Sequence, residues 1–388
     1  MKTIYIKALY IFMALCISTL YIGCSDDDEG PNGGQPRIRY VRMTDPASSD
    51  SLLVASYQSN MVAIMGENLG ATVEVWFNDK KAGLLPTLVT NTSILTTIPS
   101  ELPEVINDQL KLVFDNGDSL MYDFTVEISE PFLRNMMSEY VSAGDTARIR
   151  GQYFYGPLEV TFSGGVTAEV ININEENTII DVIVPEGAEK GPVTIESNFG
   201  VGESGFWFRD DRNIIMGSEE TDFSGWWGTQ GWIAEQDTVI ENINGNFVRL
   251  DESIGAWGWI ELYTGDGGTI KEATSNIPRD AFNSPDSYSV KFEVYPVSDM
   301  AGAQLRMFLG NADDFNTARQ NNFYTWAPNF NVTGKWQTIS IPFNEFLANN
   351  SFLTYNEAGY QAAFYFTGPV PSYLNFALDN VRVVPNEE

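Results

Sequence analysis

From Ile38 to the C-terminus, apolar and polar positions alternate in short runs rich in Val, Ile, Thr and Phe, each closed by Asn, Gly, Asp or Pro. Period-two runs between turn formers predict strands, so the chain reads as all-β. Three late runs are especially clear. Ser287-Tyr-Ser-Val-Lys-Phe-Glu-Val-Tyr295 alternates cleanly, Gly334-Lys-Trp-Gln-Thr-Ile-Ser-Ile-Pro342 runs from a glycine to a proline, and Phe376-Ala-Leu-Asp-Asn-Val-Arg-Val-Val384 closes the chain. A length of 388 residues suits about three domains of ordinary size.

The pattern also repeats. Val62-Ala-Ile-Met-Gly66-Glu-Asn-Leu-Gly70 with Val73-Glu-Val-Trp-Phe77 aligns with Ala147-Arg-Ile-Arg-Gly151-Gln-Tyr-Phe154 with Leu158-Glu-Val-Thr-Phe162. Gly66 and Gly151 are 85 residues apart, as are Phe77 and Phe162, and the strand-closing Pro99 and Pro185 are 86 apart. A constant offset of this kind marks tandem copies of one module. The copies resemble IPT/TIG domains, immunoglobulin-like modules with glycines after an apolar strand, an Asn, a V-x-F strand and a late Val/Ile-Pro. Ile64, Gly66, Asn68, Leu69 and Phe77 carry that likeness in the first copy, and Tyr153 replaces the Asn in the second. The glycine is expected to serve a positive-φ turn or a close approach of two chains. Neither copy carries site chemistry, so both are expected to be spacers.

Aromatic side chains concentrate in residues 223–263. Trp226, Trp227 and Trp232 stand among Gly225, Gly228 and Gly231, which is loop composition, and a large apolar ring on a loop must dock on the domain or meet a ligand. One of the three is expected to anchor the loop and another to contribute to a site. Trp257 and Trp259 are two residues apart, so a strand points both to one face, with Glu261 and Tyr263 continuing it. Facing outward they form an aromatic platform ending in a carboxylate; facing inward they are sandwich core. Trp326 lies on a loop ahead of the strand that holds Trp336, and Trp336, inside strand text, is read as core. Sugar rings present apolar C–H faces that stack on indole and hydroxyls that need polar partners, so Trp226, Trp227, Trp232, Trp257, Trp259, Glu261, Tyr263 and Trp326 are the candidate glycan-binding residues. Asp379 suits a turn or a structural metal, the turn being preferred, and no metal site or cofactor is expected.

Charge narrows the partners. The chain has 52 acidic and 22 basic residues, a net of −30. Nucleic acid is excluded, because phosphate binding needs clustered Lys and Arg, and acidic polysaccharides are disfavoured. A neutral glycan meets no such repulsion. There is no histidine, which removes Ser-His-Asp and Cys-His catalysis and most zinc sites. A hydrolase would have to use paired carboxylates, with Glu235, Asp237, Asp251, Glu252 and Glu261 available. An adhesive surface protein, with the tryptophans meeting another protein, is the other rival.

The N-terminus supplies an address. Lys2 and Lys7 precede an apolar run and then Leu20-Tyr-Ile-Gly-Cys24, which resembles a bacterial lipobox. That likeness implies cleavage after Gly23 and lipid on Cys24. Ser25-Asp-Asp-Asp-Glu29 is similar to the surface-export signal of Bacteroidota lipoproteins, and a Gly/Pro tether follows. Asp50-Ser-Leu, Asp118-Ser-Leu, Asp145-Thr-Ala and Asp237-Thr-Val resemble an O-glycosylation motif used there.

The order of parts, together with the runs around Trp336 and Asp379, resembles surface glycan-binding proteins of Bacteroidota polysaccharide-utilisation loci. The resemblance implies a signal peptide at 1–23, a lipidated acidic tether at 24–36, IPT/TIG-like sandwiches at 37–130 and 131–208, and a larger glycan-binding β-sandwich or jelly roll at 209–388. It further implies a non-catalytic protein, lipid-anchored on the outer face of the outer membrane, that passes a neutral, plant-type β-linked polysaccharide to a neighbouring transporter.

Overall fold

The computed structural model describes residues 34–48, 51–217, 232–263, 277–327 and 334–386. Cys24, Trp226 and Trp227, with Asp50 among the modification motifs, lie outside them. Strands dominate, as the alternation requires, and the chain forms two compact units that divide between Ser129 and Glu130.

The first unit is a sandwich. Arg37–Met43, Met61–Glu67 and Ser93–Thr97 form one antiparallel sheet, and Lys80–Lys81, Thr72–Phe77, Gln109–Phe114 and Ser119–Asp123 form another. Gln109–Phe114 shows how sequence becomes packing: Leu110, Leu112 and Phe114 are buried while Gln109, Lys111 and Val113 stay half-exposed. The inner faces meet around Val62, Ile64, Val75, Phe77, Ile94 and Phe124, with Phe77 edge-on to Phe124 at 5.7 Å.

The second unit opens with a module of seven strands, from Phe132–Met136 to Gly200–Phe208, closed over Ile149, Val160, Phe162, Ile180, Val182 and Phe208. The repeat is visible in its backbone. Gly66 pairs with Ile38 and Gly151 with Leu133, each beside an irregular step in the neighbouring strand. A Cβ on Gly66 would lie 2.1 Å from the Arg37 carbonyl oxygen, and one on Gly151 would lie 1.9 Å from that of Phe132. The glycine therefore serves a close approach of two strands. Two residues on, Asn68 and Tyr153 both have positive φ, 55° and 61°. Asn tolerates that conformation better than Tyr does, so the second copy keeps the turn with a less suited side chain.

The last part is a two-sheet sandwich. Ser372–Pro385, a 14-residue strand, pairs with Phe247–Ile254 and Tyr288–Pro296 in the larger sheet, which also contains Gln337–Pro342, Ile233–Ala234 and Ile214–Met216. The smaller sheet is ordered Ile260–Tyr263, Gln361–Thr367, Gln304–Gly310, Tyr324–Trp326. Leu250, Phe292, Leu305, Met307, Phe364 and Phe376 fill the space between them. Trp336 is buried as expected, edge-on to Phe247 at 6.1 Å, with Nε1 donating to the Glu241 carbonyl at 2.7 Å.

A buried ionic network joins this sandwich to the module before it. Glu139 of the module accepts from Lys291 Nζ at 2.6 Å and from Arg382 at 2.7 Å, and Arg382 also donates to Glu293 at 2.9 Å. Thr338 donates its hydroxyl to Glu293 and its backbone N–H to the Met137 carbonyl, and accepts from the Glu139 N–H. Burial works against the Arg382 charge, but Glu293 and Glu139 outweigh it and hold the guanidinium above its usual range. Burial pushes the Glu293 carboxyl upward.

Two stability outcomes follow from these contacts. Gly66→Ala and Gly151→Ala each lose roughly 1–3 kcal/mol through overpacking, whereas Gly83→Ala, with nothing within 4 Å of the added carbon, stays close to wild type in denaturant unfolding. Arg382→Met leaves buried Glu293 with no cation and Glu139 with Lys291 alone, and costs about 3–5 kcal/mol in the same measurement; a loss below 1 kcal/mol would show that the network carries little of the join.

Candidate functional site

The outer face of the smaller sheet collects the candidate chemistry. Alternation sends Ile260, Leu262, Leu305, Met307, Leu309, Ala362, Phe364 and Phe366 into the core and leaves Glu261, Tyr263, Gln304, Arg306, Phe308, Ala363, Tyr365 and Thr367 on the opposite face. The register arranges these in rows across the strands. Glu261 pairs with Tyr365 and Tyr365 with Arg306; Thr367 pairs with Gln304; Tyr263 pairs with Ala363 and Ala363 with Phe308.

One end of this face is roofed. The helix Phe315–Asn321, capped by the Asp314 carboxylate accepting from the Thr317 N–H at 3.1 Å, covers the Tyr263–Ala363–Phe308 row. Phe315 meets Phe308 at 5.7 Å and Tyr263 at 6.1 Å, both edge-on. Arg319 of the helix ion-pairs with Glu261 and lies 5.5 Å from the Tyr263 ring. Burial lowers the Arg319 pKa from its ordinary value. Tyr263 is therefore buried beneath a helix, and Glu261 is held by an arginine.

The other end is open. Trp259 is 62% exposed, and its ring stands 6.1 Å from that of Tyr365 with only 17° between their planes. Burial raises the Tyr365 hydroxyl above its ordinary pKa, against the opposing pull of Arg306 and Arg319. Arg306 is half-buried, its guanidinium 4.8 Å from the Phe323 ring, with Gln304 two residues away on the same face. Two near-parallel rings beside amide and guanidinium donors can stack a sugar face and bind its hydroxyl edge.

The other expected residues are distributed differently. The alternation read through 257–263 holds from Trp259 onward and fails at Trp257, because the strand begins at Ile260. Trp257 sits in a turn at φ 59°, its N–H donating to the Gly368 carbonyl at 2.7 Å, and its ring is 59% exposed. A tryptophan with positive φ is strained, so the fold holds this exposed ring in place at a cost. Trp232 is half-buried against the sandwich core. Trp326 ends a strand rather than lying on a loop and packs edge-on to Phe292 at 5.1 Å. Tyr365, Arg306, Gln304 and Arg319 escape sequence reading, since only strand pairing brings them beside Trp259. The signal for them was the polar alternation of Gln304-Leu-Arg306 and the lone Tyr365 in an apolar run.

Asp237 and Asp251 both lie against Arg249, at 2.9 and 3.6 Å. Burial works against the charge on Asp237, but the backbone N–H groups of Val239 and Ile240 together with Arg249 outweigh it and hold the carboxyl below the usual range. That is the reverse of what a general acid needs. Asp251 accepts from the Tyr373 hydroxyl, Glu235 and Glu252 are exposed, and Glu261 lies on the other sheet. Among the described residues no group of three or more Cys, Asp or Glu side chains is placed to hold a metal. A second recess, about 580 Å³, lies between the module and the sandwich, but Arg148 and Asp181 on its wall pair with each other at 2.7 and 2.9 Å.

Residues 208–385 match the family model described as the surface glycan-binding protein B xyloglucan binding domain. An IPT/TIG domain-containing protein of Bacteroides ovatus is 30% identical over 141 residues, 34% of this chain and 28% of that protein, so the match spans less than a third of that relative. Among solved structures, the surface glycan-binding protein PbSGBP-B from Prevotella bryantii covers 91% of this chain and 99% of its own at 24% identity and a TM-score of 0.67, which shows a shared fold. An SGBP-B from a complex xyloglucan utilization locus in Bacteroides uniformis covers 91% and 100% at 18% identity and a TM-score of 0.48.

The two ends of the face should respond oppositely to truncation. Trp259→Ala removes an exposed ring and costs about 1 kcal/mol of stability or less. Tyr263→Ala empties the packing under the helix and costs roughly 3–5 kcal/mol. Thermal unfolding of the two variants checks the contrast.

Proposed function

We propose that this chain captures a neutral β-linked glucan on the open end of its smaller sheet, without cleaving it, a reading supported by the match of residues 208–385 to the surface glycan-binding protein B xyloglucan binding domain. The observation that carries the reading is the near-parallel pair of exposed Trp259 and half-buried Tyr365, with Arg306 and Gln304 on the same face. Trp257, in a strained turn two residues before Trp259, adds a second exposed indole. Trp232 and Trp326 are assigned supporting roles at most, since both pack on the core; Trp226 and Trp227 stay candidates on their sequence context and lie outside the described residues.

The net charge of −30 favours an uncharged polysaccharide. A stacked ring contributes on the order of 1 kcal/mol beyond desolvation, and a Kd of about 1 mM corresponds to roughly −4 kcal/mol. A few such contacts give micromolar to millimolar affinity, suited to a protein that hands its glycan on. The paired state of Asp237 and Glu261 argues against hydrolysis.

The rest of the reading is organisational. Lipid on Cys24 anchors the mature chain to the outer membrane, the acidic tether 24–36 directs it outward, and the modules at 37–130 and 131–208 carry the 209–388 sandwich toward the glycan and a neighbouring transporter. The lipobox-like run and the tandem repeat support this.

Affinity gel electrophoresis of residues 25–388 against xyloglucan, mixed-linkage glucan, mannan and an acidic polysaccharide tests the proposal. The expected result is retardation by a neutral β-glucan, lost in Trp257→Ala/Trp259→Ala, with no reducing ends released. No retardation by any glycan would sink the reading, and release of reducing ends would replace it with a hydrolase.

A further inference from the structure

Arg306 stands out in the electrostatics of this face. It occupies an outward position on an interior strand of the sheet, flanked on both sides by paired strands. Its aromatic neighbours are placed to hold it: the Phe323 ring lies 4.8 Å from the guanidinium, and Tyr365 is its cross-strand partner. Yet among the described residues it has no ion pair, and its buried Nε has no hydrogen-bond partner. Arg319, on the same face, has Glu261. In a chain with 52 acidic residues to 22 basic ones, a half-buried guanidinium without a carboxylate runs against the composition. Partial burial of an unpaired guanidinium costs free energy that acceptors meeting its accessible amino groups recover.

We infer that Arg306 is the specificity-determining donor of the glycan face, presenting its guanidinium fork to two neighbouring hydroxyls of the uncharged pyranose stacked on Trp259 and Tyr365. This rests on the glycan-binding reading above. The register supports it: Trp259 leads into one edge strand, Tyr365 lies on the next, and Arg306 on the one after, about 4.8 Å further across the sheet. A sugar lying on the two rings therefore brings a hydroxyl edge over Arg306, with Gln304 two residues along to receive or donate a further hydrogen bond. The fork matters, because an arginine offers coplanar donors that a lysine lacks. The ligand class is a neutral glycan whose backbone residues carry free adjacent hydroxyls.

The test is isothermal titration of residues 25–388 with a β-1,4-linked gluco-oligosaccharide and with an oligogalacturonate, comparing wild type, Arg306→Ala, Arg306→Lys and Trp259→Ala. Arg306→Ala should weaken the neutral ligand roughly ten- to a hundredfold, with Arg306→Lys staying closer to the alanine variant than to wild type. Thermal unfolding should show both variants folded at the titration temperature, since the Arg306 side chain gives up its contact with the Phe323 ring but no side-chain hydrogen bond to the described residues, and wild-type affinity for the neutral ligand should not change with added salt. Wild-type affinity in Arg306→Ala with binding lost in Trp259→Ala would overturn the role of Arg306 and leave the glycan reading standing. Tighter binding of the oligogalacturonate than of the neutral ligand would overturn it by making Arg306 a charge receptor. Failure of wild type to bind either ligand would remove the glycan reading as well.

Discussion

The second unit depends on four charges placed where water cannot reach them. Glu139 comes from the immunoglobulin-like module, while Lys291, Glu293 and Arg382 come from adjacent strands of the terminal sandwich. Buried ions are tolerated only in a narrow geometry, because losing one partner leaves an uncompensated charge in a low-dielectric interior. The network therefore does more to specify how the two bodies meet than to stabilise them. Hydrophobic contact alone would permit sliding; an arginine shared between two carboxylates does not. Arg382 also lies on Ser372–Pro385, the strand that both Phe247–Ile254 and Tyr288–Pro296 pair with, so the ionic join and the spine of the larger sheet are one element.

That spine fixes the larger sheet, and the larger sheet is the surface on which the smaller one packs. The smaller sheet is then free to specialise on its outer face. Its two ends differ: a short helix closes one over Tyr263, Phe308 and Ala363, while at the other Trp259 stands exposed against half-buried Tyr365. The Arg319–Glu261 pair stands at the boundary and ties the helix to the sheet. An aromatic surface left open beside such a roof carries an energetic cost.

The two copies of the module illustrate how a fold survives sequence drift. Gly66 and Gly151 are held by carbonyl oxygens about 2 Å from where a side chain would begin, a constraint of the backbone itself. Asn68 and Tyr153 share a left-handed conformation although only the first is well suited to it. The strand crossing is steric and leaves no free space for a side chain, whereas the turn carries a moderate strain that the rest of the module absorbs.

By itself the sequence determined the all-β class, the internal repeat with its glycines, the burial of Trp336 and the aromatic, acidic character of the terminal domain. Each of these follows from local rules: alternation, turn chemistry and composition. It also placed Trp259 and Glu261 on one face, because period two survives wherever a strand continues. Tertiary structure decided the rest. It broke the alternation at Trp257 with a turn, put a helix over Tyr263, gave Glu261 to Arg319, and turned Trp326 inward onto Phe292. It also brought Tyr365, Arg306 and Gln304 beside Trp259 from positions 106, 47 and 45 residues away in the chain. Strand order and register set which outward residues become neighbours, and they depend on the packing of the whole sandwich, which no local pattern encodes.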